Sequence, residues 1–303
     1  MRHAYFILAH DYPYNLKVLL SLLDHERNTI YIHIDKKSTT LDCEEIKKWC
    51  SISKIIFLRR EKVMWGGYSL IDCEFRFLRE SVKGKYDYYH FISGQDLPLV
   101  SQDKMNEFFE KNAGFEFVSL YKKEDIQWRV QELYKRICYW HLEELSLCFE
   151  KKIMQKIVII FAKICLKLQE ILNITRNISI EDISFGKNWF SITHDFALYV
   201  LEQQKEIEKK FSFTSCADEI FLQYIIQNSP YKEKIYQSNK DASLRFVDWN
   251  RGKPYIWELQ DFDELVHSGY IFARKFSENK DRLIIDAIYN YIKEQEKSIG
   301  HEG

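Results

Sequence analysis

The sequence predicts a mixed α/β domain on a mostly parallel central sheet, and three observations carry that prediction. Short apolar runs rich in β-branched and aromatic residues alternate with stretches of helical periodicity, and polar or charged residues close most of the runs. The chain also opens strand, helix, strand, at a length that suits parallel strands joined by a crossover helix. With 303 residues, 46% of them hydrophobic, it can bury a core for one large α/β domain or two small ones. No internal repeat, low-complexity tract or composition shift marks a linker, and only 10 Gly and 4 Pro leave little room for one. A single domain over 1–303 is therefore expected.

Ala4 to Ala9 is an apolar run that stops at His10-Asp11-Tyr12-Pro13, after which Leu16, Leu19, Leu20, Leu22 and Leu23 recur at helical spacing. Thr29 to Ile34 is a second strand, closed by Asp35. Ligands of parallel sheets collect at the carboxyl ends of strands, so His10 and Asp35 fall on one edge. Asp35 suits a ribose hydroxyl or nucleobase N–H, and suits a solvated turn equally well. Neither G-x-G-x-x-G nor G-x-x-x-x-G-K-[ST] occurs, which excludes the dinucleotide fingerprint and the P-loop. Lys54 to Leu58 is a third strand. Trp65, Gly66 and Gly67 then form a loop entering a helix through Leu70, Ile71, Phe75 and Leu78. The glycines let backbone and indole approach a flat ligand, although a buried Trp beside a turn is a frequent alternative. Tyr86 to Ser93 is a fourth strand whose turn brings another carboxylate, Asp96, to the same edge.

Lys104 to Glu110 reads as a short helix and Phe115 to Leu120 as a strand, and from 124 to 177 the chain turns helical. Within that stretch Ile153, Ile157, Ile160 or Phe161, Ile164, Leu168 and Ile171 or Leu172 make one apolar stripe, with Lys151, Lys152, Lys156, Lys163 and Lys167 around it. Such a helix either packs on the core or lies on a membrane surface. Phe185 to Thr193 is a turn into a short strand, followed by a helix from His194 to Gln204. Thr214 to Phe221 brings Asp218 and Glu219 to the start of an apolar run, as a helix N-terminus does, with Ser215 or Asp218 available as cap. An acid there that faces a cleft instead of capping can serve as a general base. Leu244-Arg245-Phe246-Val247-Asp248-Trp249-Asn250-Arg251-Gly252-Lys253-Pro254 is a strand running into a basic, Pro-stopped turn. A helix from Asp261 to His267, the segment Ile271 to Phe276 and a C-terminal helix from 281 to 295 complete the chain.

The formal net charge is −1, which gives the whole molecule no attraction for nucleic acid, but Arg245, Arg251, Lys253, Arg274 and Lys275 concentrate positive charge near the C-terminus. Seven cysteines without C-x-x-C pairing read as reduced thiols. The first ten residues are too short and too aromatic for a signal peptide, and the apolar run 157–162 is too short to cross a bilayer. A cytoplasmic location follows as the expectation, or a peripheral one at the inner face of the plasma membrane.

Eight blocks in order resemble glycosyltransferase family 14, which holds the core-2/I-branching β-1,6-N-acetylglucosaminyltransferases and the peptide O-xylosyltransferases. They are Leu8-Ala9-His10, His33-Ile34-Asp35-Lys36-Lys37, Trp65-Gly66-Gly67-Tyr68-Ser69, Ser93-Gly94-Gln95-Asp96-Leu97-Pro98, Gly186-Lys187-Asn188-Trp189-Phe190, Asp218-Glu219, Arg245-Phe246-Val247-Asp248-Trp249 and Phe272-Ala273-Arg274-Lys275-Phe276. The resemblance implies the A-type glycosyltransferase fold, with a nucleotide-binding half (1–120), an acceptor-binding half (121–280) containing the helical insertion 124–177, and a C-terminal helix and tail (281–303). It implies an inverting, metal-independent transfer of a sugar, GlcNAc first, from a UDP-sugar to a glycan or lipid-linked glycan; the unpaired cysteines and the absence of a signal anchor favour, as an expectation, a bacterial enzyme of surface polysaccharide synthesis. Transfer of xylose or another sugar is the alternative, as is a non-catalytic sugar-nucleotide or carbohydrate-binding protein. No cofactor is implied; the single D-x-D, Asp261-Phe262-Asp263, suits surface or capping acids better than a metal. Glu219 is the implied base, with Asp218 supporting it. The implied nucleotide-sugar set is Ala9, His10, Asp35, Trp65, Asp96, Arg251, Lys253, Arg274 and Lys275, and Trp189 and Trp249 face the acceptor.

Overall fold

A computed structural model describes residues 1–121, 130–179 and 183–299. The first half runs β1 (His3–Ala9), α1 (Pro13–Leu23), β2 (Asn28–Ile34), α2 (Cys43–Ile46), β3 (Lys54–Phe57), α3 (Tyr68–Ser81), β4 (Tyr88–Ser93), β5 (Asp96–Pro98), α4 (Gln102–Lys111) and β6 (Phe117–Val118). The second half runs α5 (Val130–Cys138), α6 (Lys152–Leu172), β7 (Phe190–Thr193), α7 (His194–Glu202), α8 (Gln204–Phe211), α9 (Phe221–Gln227), β8 (Arg245–Val247), α10 (Phe262–Val266), β9 (Phe272–Arg274) and α11 (Arg282–Ile299).

Six strands form the central sheet in the order β3-β2-β1-β4-β7-β6. β1, β2, β3 and β4 are mutually parallel, and β7 runs antiparallel to both β4 and β6. A second sheet, β5-β9-β8, sets Asp96 directly opposite Arg274. This is the mixed, mostly parallel architecture of the expected A-type glycosyltransferase fold. β1 reads as a continuous apolar run because both its faces are covered. Ala4 and Phe6 point into one core with Phe75, Phe77 and Phe91, while Tyr5, Ile7 and Ala9 point into the other with Leu16, Leu19 and Ile284. Side chains alternate along a strand, so one seven-residue segment anchors both layers.

Several boundaries differ from expectation. The strand expected over Phe115 to Leu120 shrinks to two residues, because Glu116 leaves the sheet for a bridge to Ile235. The helix expected over His194 to Gln204 is α7, which ends at Glu202; beyond a break at Gln203 the chain continues as α8 to Phe211. Asp218 and Glu219 lie in a 3-10 turn, Ala217–Glu219, ahead of α9, and neither Ser215 nor Asp218 caps that helix. The helical insertion holds α5, a 3-10 turn (Glu143–Cys148) and α6; its expected start at 124 lies outside the described residues, as do 300–303 of the tail. α6 is not packed into the core: only Ala162 of it is buried.

Candidate active site

The carboxyl edge of the parallel strands gathers four of the expected residues. The Ala9 carbonyl accepts the Asp35 amide at 2.9 Å, which holds the ends of β1 and β2 together. Asp35 is buried and already engaged: its carboxylate accepts the Lys37 amide (2.8 Å), lies 3.3 Å from the Lys37 ammonium and takes the Val63 amide at 3.4 Å. It therefore builds a turn, and it supplies the site with a partly exposed lysine that sequence reasoning did not single out. His10 is exposed beside it; desolvation lowers the imidazole pKa, Lys275 and Lys37 lower it further, and Asp11 and Asp35 oppose them. Trp65 stands 85% exposed on its loop, a ring presented to solvent and not a buried one.

That loop is joined to the acidic turn. Gly66 has φ +69°, and its carbonyl accepts the Cys216 amide at 2.7 Å. A Cβ at Gly66 would sit 2.9 Å from Cys216 Sγ, so both the backbone angle and the close approach require glycine. Cys216 is itself left-handed (φ 51°) and turns the next two acids in different directions.

Asp218 points inward. Asn188 Nδ2 donates to its Oδ2 at 3.2 Å, and its Oδ1 has no partner among the described residues. Burial raises its pKa to about 7, with the Glu219 charge adding to the effect. Nearby on α3, Glu74 is fully buried, and among the described residues neither carboxylate oxygen has a hydrogen bond of good geometry; burial, and then the Asp218 charge, push its pKa well above the carboxylate range, against a smaller opposing effect of Asn188. Two acids that share so dry a space cannot both be ionised. Glu74 was missed, although an acid between Ile71 and Phe75 on an apolar helical stripe is a visible signal in the sequence.

Glu219 points outward. Its side chain is 31% exposed, and Arg136 Nη1 of α5 holds one oxygen at 3.0 Å. The Glu219 carbonyl accepts the Gly186 amide at 3.0 Å. Gly186 is itself pressed against the chain, since a Cβ there would lie 2.0 Å from the Ser119 carbonyl oxygen. Arg136 sits in the helical insertion, where nothing in the local pattern distinguishes it from a solvated arginine.

The basic residues differ in what holds them. Arg274 donates to Asp96 (3.0 Å) and to the Ser93 hydroxyl (3.1 Å), and its guanidinium lies 4.2 Å from the centre of the Trp189 ring. Asp96 is wholly buried and also accepts the Ser93 amide and hydroxyl, so it orients Arg274 and cannot itself reach a ligand. Lys275 follows, its pKa lowered by burial and then by the Arg274 charge, and among the described residues no carboxylate pairs with it. Arg251 is not available either: Asp248, Asp261 (2.7 Å) and Glu264 (2.9 Å) all hold its guanidinium, which also lies over Tyr255. Arg245 is buried on the Phe190 carbonyl, the Ser191 hydroxyl and the Ser243 carbonyl, and burial lowers its pKa to about 10. The concentration seen in the sequence thus reduces to Arg274, Lys275 and the exposed Lys253, with Lys37 added at the strand edge.

On the acceptor side, Trp189 is engaged by Phe91 (ring centres 5.4 Å apart) and Arg274, whereas Trp249 is 54% exposed. Trp249 is thus the indole that presents a free face, and Trp189 is a packing platform. Asp261 of the D-x-D closes a capping box with Glu258, as a capping acid should. Among the described residues no three His, Cys, Asp or Glu side chains gather to hold a metal. A separate cavity of about 510 Å³ opens between the start of α3, the turn 143–148 and α8, lined in part by Tyr68, Asp72, Glu144 and Glu208. Glu144 there accepts the Tyr68 and Ser69 amides (2.9 and 2.7 Å), so the α3 N-terminus beside the two glycines is already occupied by a carboxylate.

Among known proteins, the chain is 23% identical to "Xylosyltransferase 2" of Canis lupus familiaris over 95% of its own length and 33% of that protein. It is 20% identical to "Xylosyltransferase 1" of Homo sapiens over 96% of its length and 30% of that protein. The chain thus spans about a third of the length of the curated relatives it matches. A solved structure, mouse Xyloside xylosyltransferase 1 in its apo form, covers 89% of this chain and is itself covered over 96%, with a TM-score of 0.35 and 10% identity. The family model described as Core-2/I-Branching enzyme matches residues 3–260, which include every expected site residue except Arg274 and Lys275. By that match the chain belongs to the Core-2/I-Branching enzyme family.

Proposed function

We propose that the protein transfers a sugar from a UDP-sugar to a hydroxyl of a glycan acceptor, with inversion and without a metal, and that Glu219 is the base. The observation that carries this reading is the Gly66–Cys216 contact, which fastens the exposed Trp65 loop at the strand edge to the turn carrying the outward Glu219. Nucleotide and acceptor would then meet at one acid. Glu219 takes the proton of the acceptor hydroxyl, the hydroxyl oxygen attacks the anomeric carbon, and the bond from that carbon to the diphosphate oxygen breaks. Charge gathering on the diphosphate is met by Lys275, with Lys37 and His10 nearby. Fixed donors of this kind typically contribute ~2.7–4 kcal/mol each, because they need no reorganisation as charge develops. Asp96 serves by holding Arg274 rigid beneath Trp189. Asp218, its pKa raised to about 7 by burial, shapes the turn.

GlcNAc is the sugar implied by the branching enzymes, and xylose is a second reading favoured by the names of the relatives above. Seven free cysteines agree with a reducing, cytoplasmic setting, and a bacterial surface glycan is the proposed product class. A panel of UDP-sugars, screened for binding and slow hydrolysis with the wild type and Glu219→Gln, tests the proposal. The variant should keep donor affinity and lose turnover by about a hundred- to ten-thousand-fold. Near-normal turnover would exclude Glu219, and binding of no UDP-sugar would exclude the donor class.

A further inference from the structure

We infer that α6 docks the protein on the surface of an anionic lipid bilayer. This inference stands apart from the sugar-transfer reading and needs none of its residues. α6 has 21 residues, about 30 Å at the α-helical rise, and its apolar stripe faces away from the protein. Ile157, Ile160, Phe161, Ile164, Leu168 and Ile171 are each between 50% and 69% exposed. At about 100° per residue they span roughly 100° of the helix surface, opposite Ala162, the one buried residue. So large an apolar ridge is costly to leave in water, and it signals a covered surface.

The charge pattern identifies what covers it. Lys152, Lys156, Lys163 and Lys167 lie within roughly 60° of one another along one edge of that ridge, and all four are exposed. Only Lys167 has an acid partner among the described residues, Glu170 at 3.1 Å. A row of ammonium groups, three of the four without an acid partner among the described residues, beside an apolar ridge matches the boundary between acyl chains and anionic headgroups, where lysine stems lie along the apolar region and their charges reach phosphate. A second copy of this chain fits less well: a two-fold antiparallel pairing of the ridges would place both lysine rows on the same edge. Crossing the membrane is not the alternative, since among the described residues no helix is long and apolar enough to span one.

The opposite side of α6 is held firmly, as an anchor requires. The Gln169 side chain accepts the Trp140 amide at 2.9 Å and donates to the Trp140 carbonyl at 3.1 Å, while Glu170, which lies on the lysine edge, bridges Lys167 and Lys135 at 3.1 Å each. Lys135 precedes Arg136, the partner of Glu219, so the lipid-facing helix and the candidate base hang from the same short helix. A membrane-anchored acceptor would accordingly be met at the surface where α6 lies.

The test is vesicle flotation of the whole protein without nucleotide, comparing phosphatidylglycerol-rich with pure phosphatidylcholine vesicles. Binding is expected to the anionic vesicles, weakened by high salt, with little to the neutral ones. Ile157→Glu with Phe161→Glu should lower the partition coefficient about tenfold or more while circular dichroism stays unchanged, because both side chains are already exposed. Lys156→Glu with Lys163→Glu should remove the preference for anionic lipid. Absence of flotation, flotation untouched by the Ile157/Phe161 pair, or a dimer by sedimentation that this pair dissociates would each overturn the inference, the last naming a second copy as the occupant. UDP-sugar turnover in solution is unaffected in either case, which separates failure of this inference from failure of the proposed function.

Discussion

Replacing Asp218 with asparagine should make the protein more stable at neutral pH, and the gain should vanish in acid. The native state binds a proton at Asp218 up to about pH 7, whereas the ordinary carboxylate gives it up near 3.8. Between those values the folded protein holds more protons than the unfolded one, so wild-type stability falls as pH rises through the window. At 1.36 kcal/mol per pH unit, a window of about three units corresponds to roughly 4 kcal/mol at its upper end. Asparagine removes the titration, keeps the shape and can still pair with Asn188, which donates to the carboxylate in the wild type. The assay is urea denaturation from about pH 4 to pH 8: the wild type should lose stability across that range and the variant much less, with Glu74 adding residual dependence of the same sign. A wild-type profile flat over the window, or a variant no more stable than wild type at its neutral end, would refute the claim that this acid is buried at an energetic cost.

Further outcomes follow from the same geometry. Lys275→Ala should weaken UDP binding by about tenfold in calorimetry, whereas Arg251→Ala should leave it nearly unchanged and lower stability by about 1 kcal/mol, because Asp248, Asp261 and Glu264 lose their common cation. Equal effects on UDP would return Arg251 to the site. Gly186→Ala places a methyl against the Ser119 carbonyl and should cost about 1–3 kcal/mol while displacing the backbone that holds Glu219; a thermal melt and a turnover assay on the folded variant measure both. Transfer should persist in EDTA, and activity lost to the chelator and restored by manganese would refute the metal-free proposal.

Much of this was legible without coordinates, for identifiable reasons. The strands were readable because buried parallel strands are short, β-branched and bounded by polar turns, as in Thr29 to Asp35. The strand-edge position of His10 and Asp35 follows from parallel order alone. Which charges remain available was not readable, because it depends on contacts between distant residues. Arg251 and Lys275 look alike in the sequence, yet one is held by three carboxylates and the other by none among the described residues. Asp96 looked like a ligand and proved to be the buried counter-ion of Arg274, a pairing set by the register of β5 on β9 across some 178 residues of chain.

The adjacent acids Asp218 and Glu219 show where the division falls. Their place, two carboxylates after small residues and before an apolar helix, was determined by the sequence, as were the class of fold and the order of its blocks. Local pattern made them a helix cap. Tertiary structure alone decided otherwise: the left-handed Cys216, pinned to Gly66, turns one acid inward against Asn188 near Glu74 and the other outward to Arg136. Burial is a property of what surrounds a residue in space. It raises the pKa of one acid to about 7 and leaves its neighbour facing solvent, a distinction no reading of adjacent letters contains.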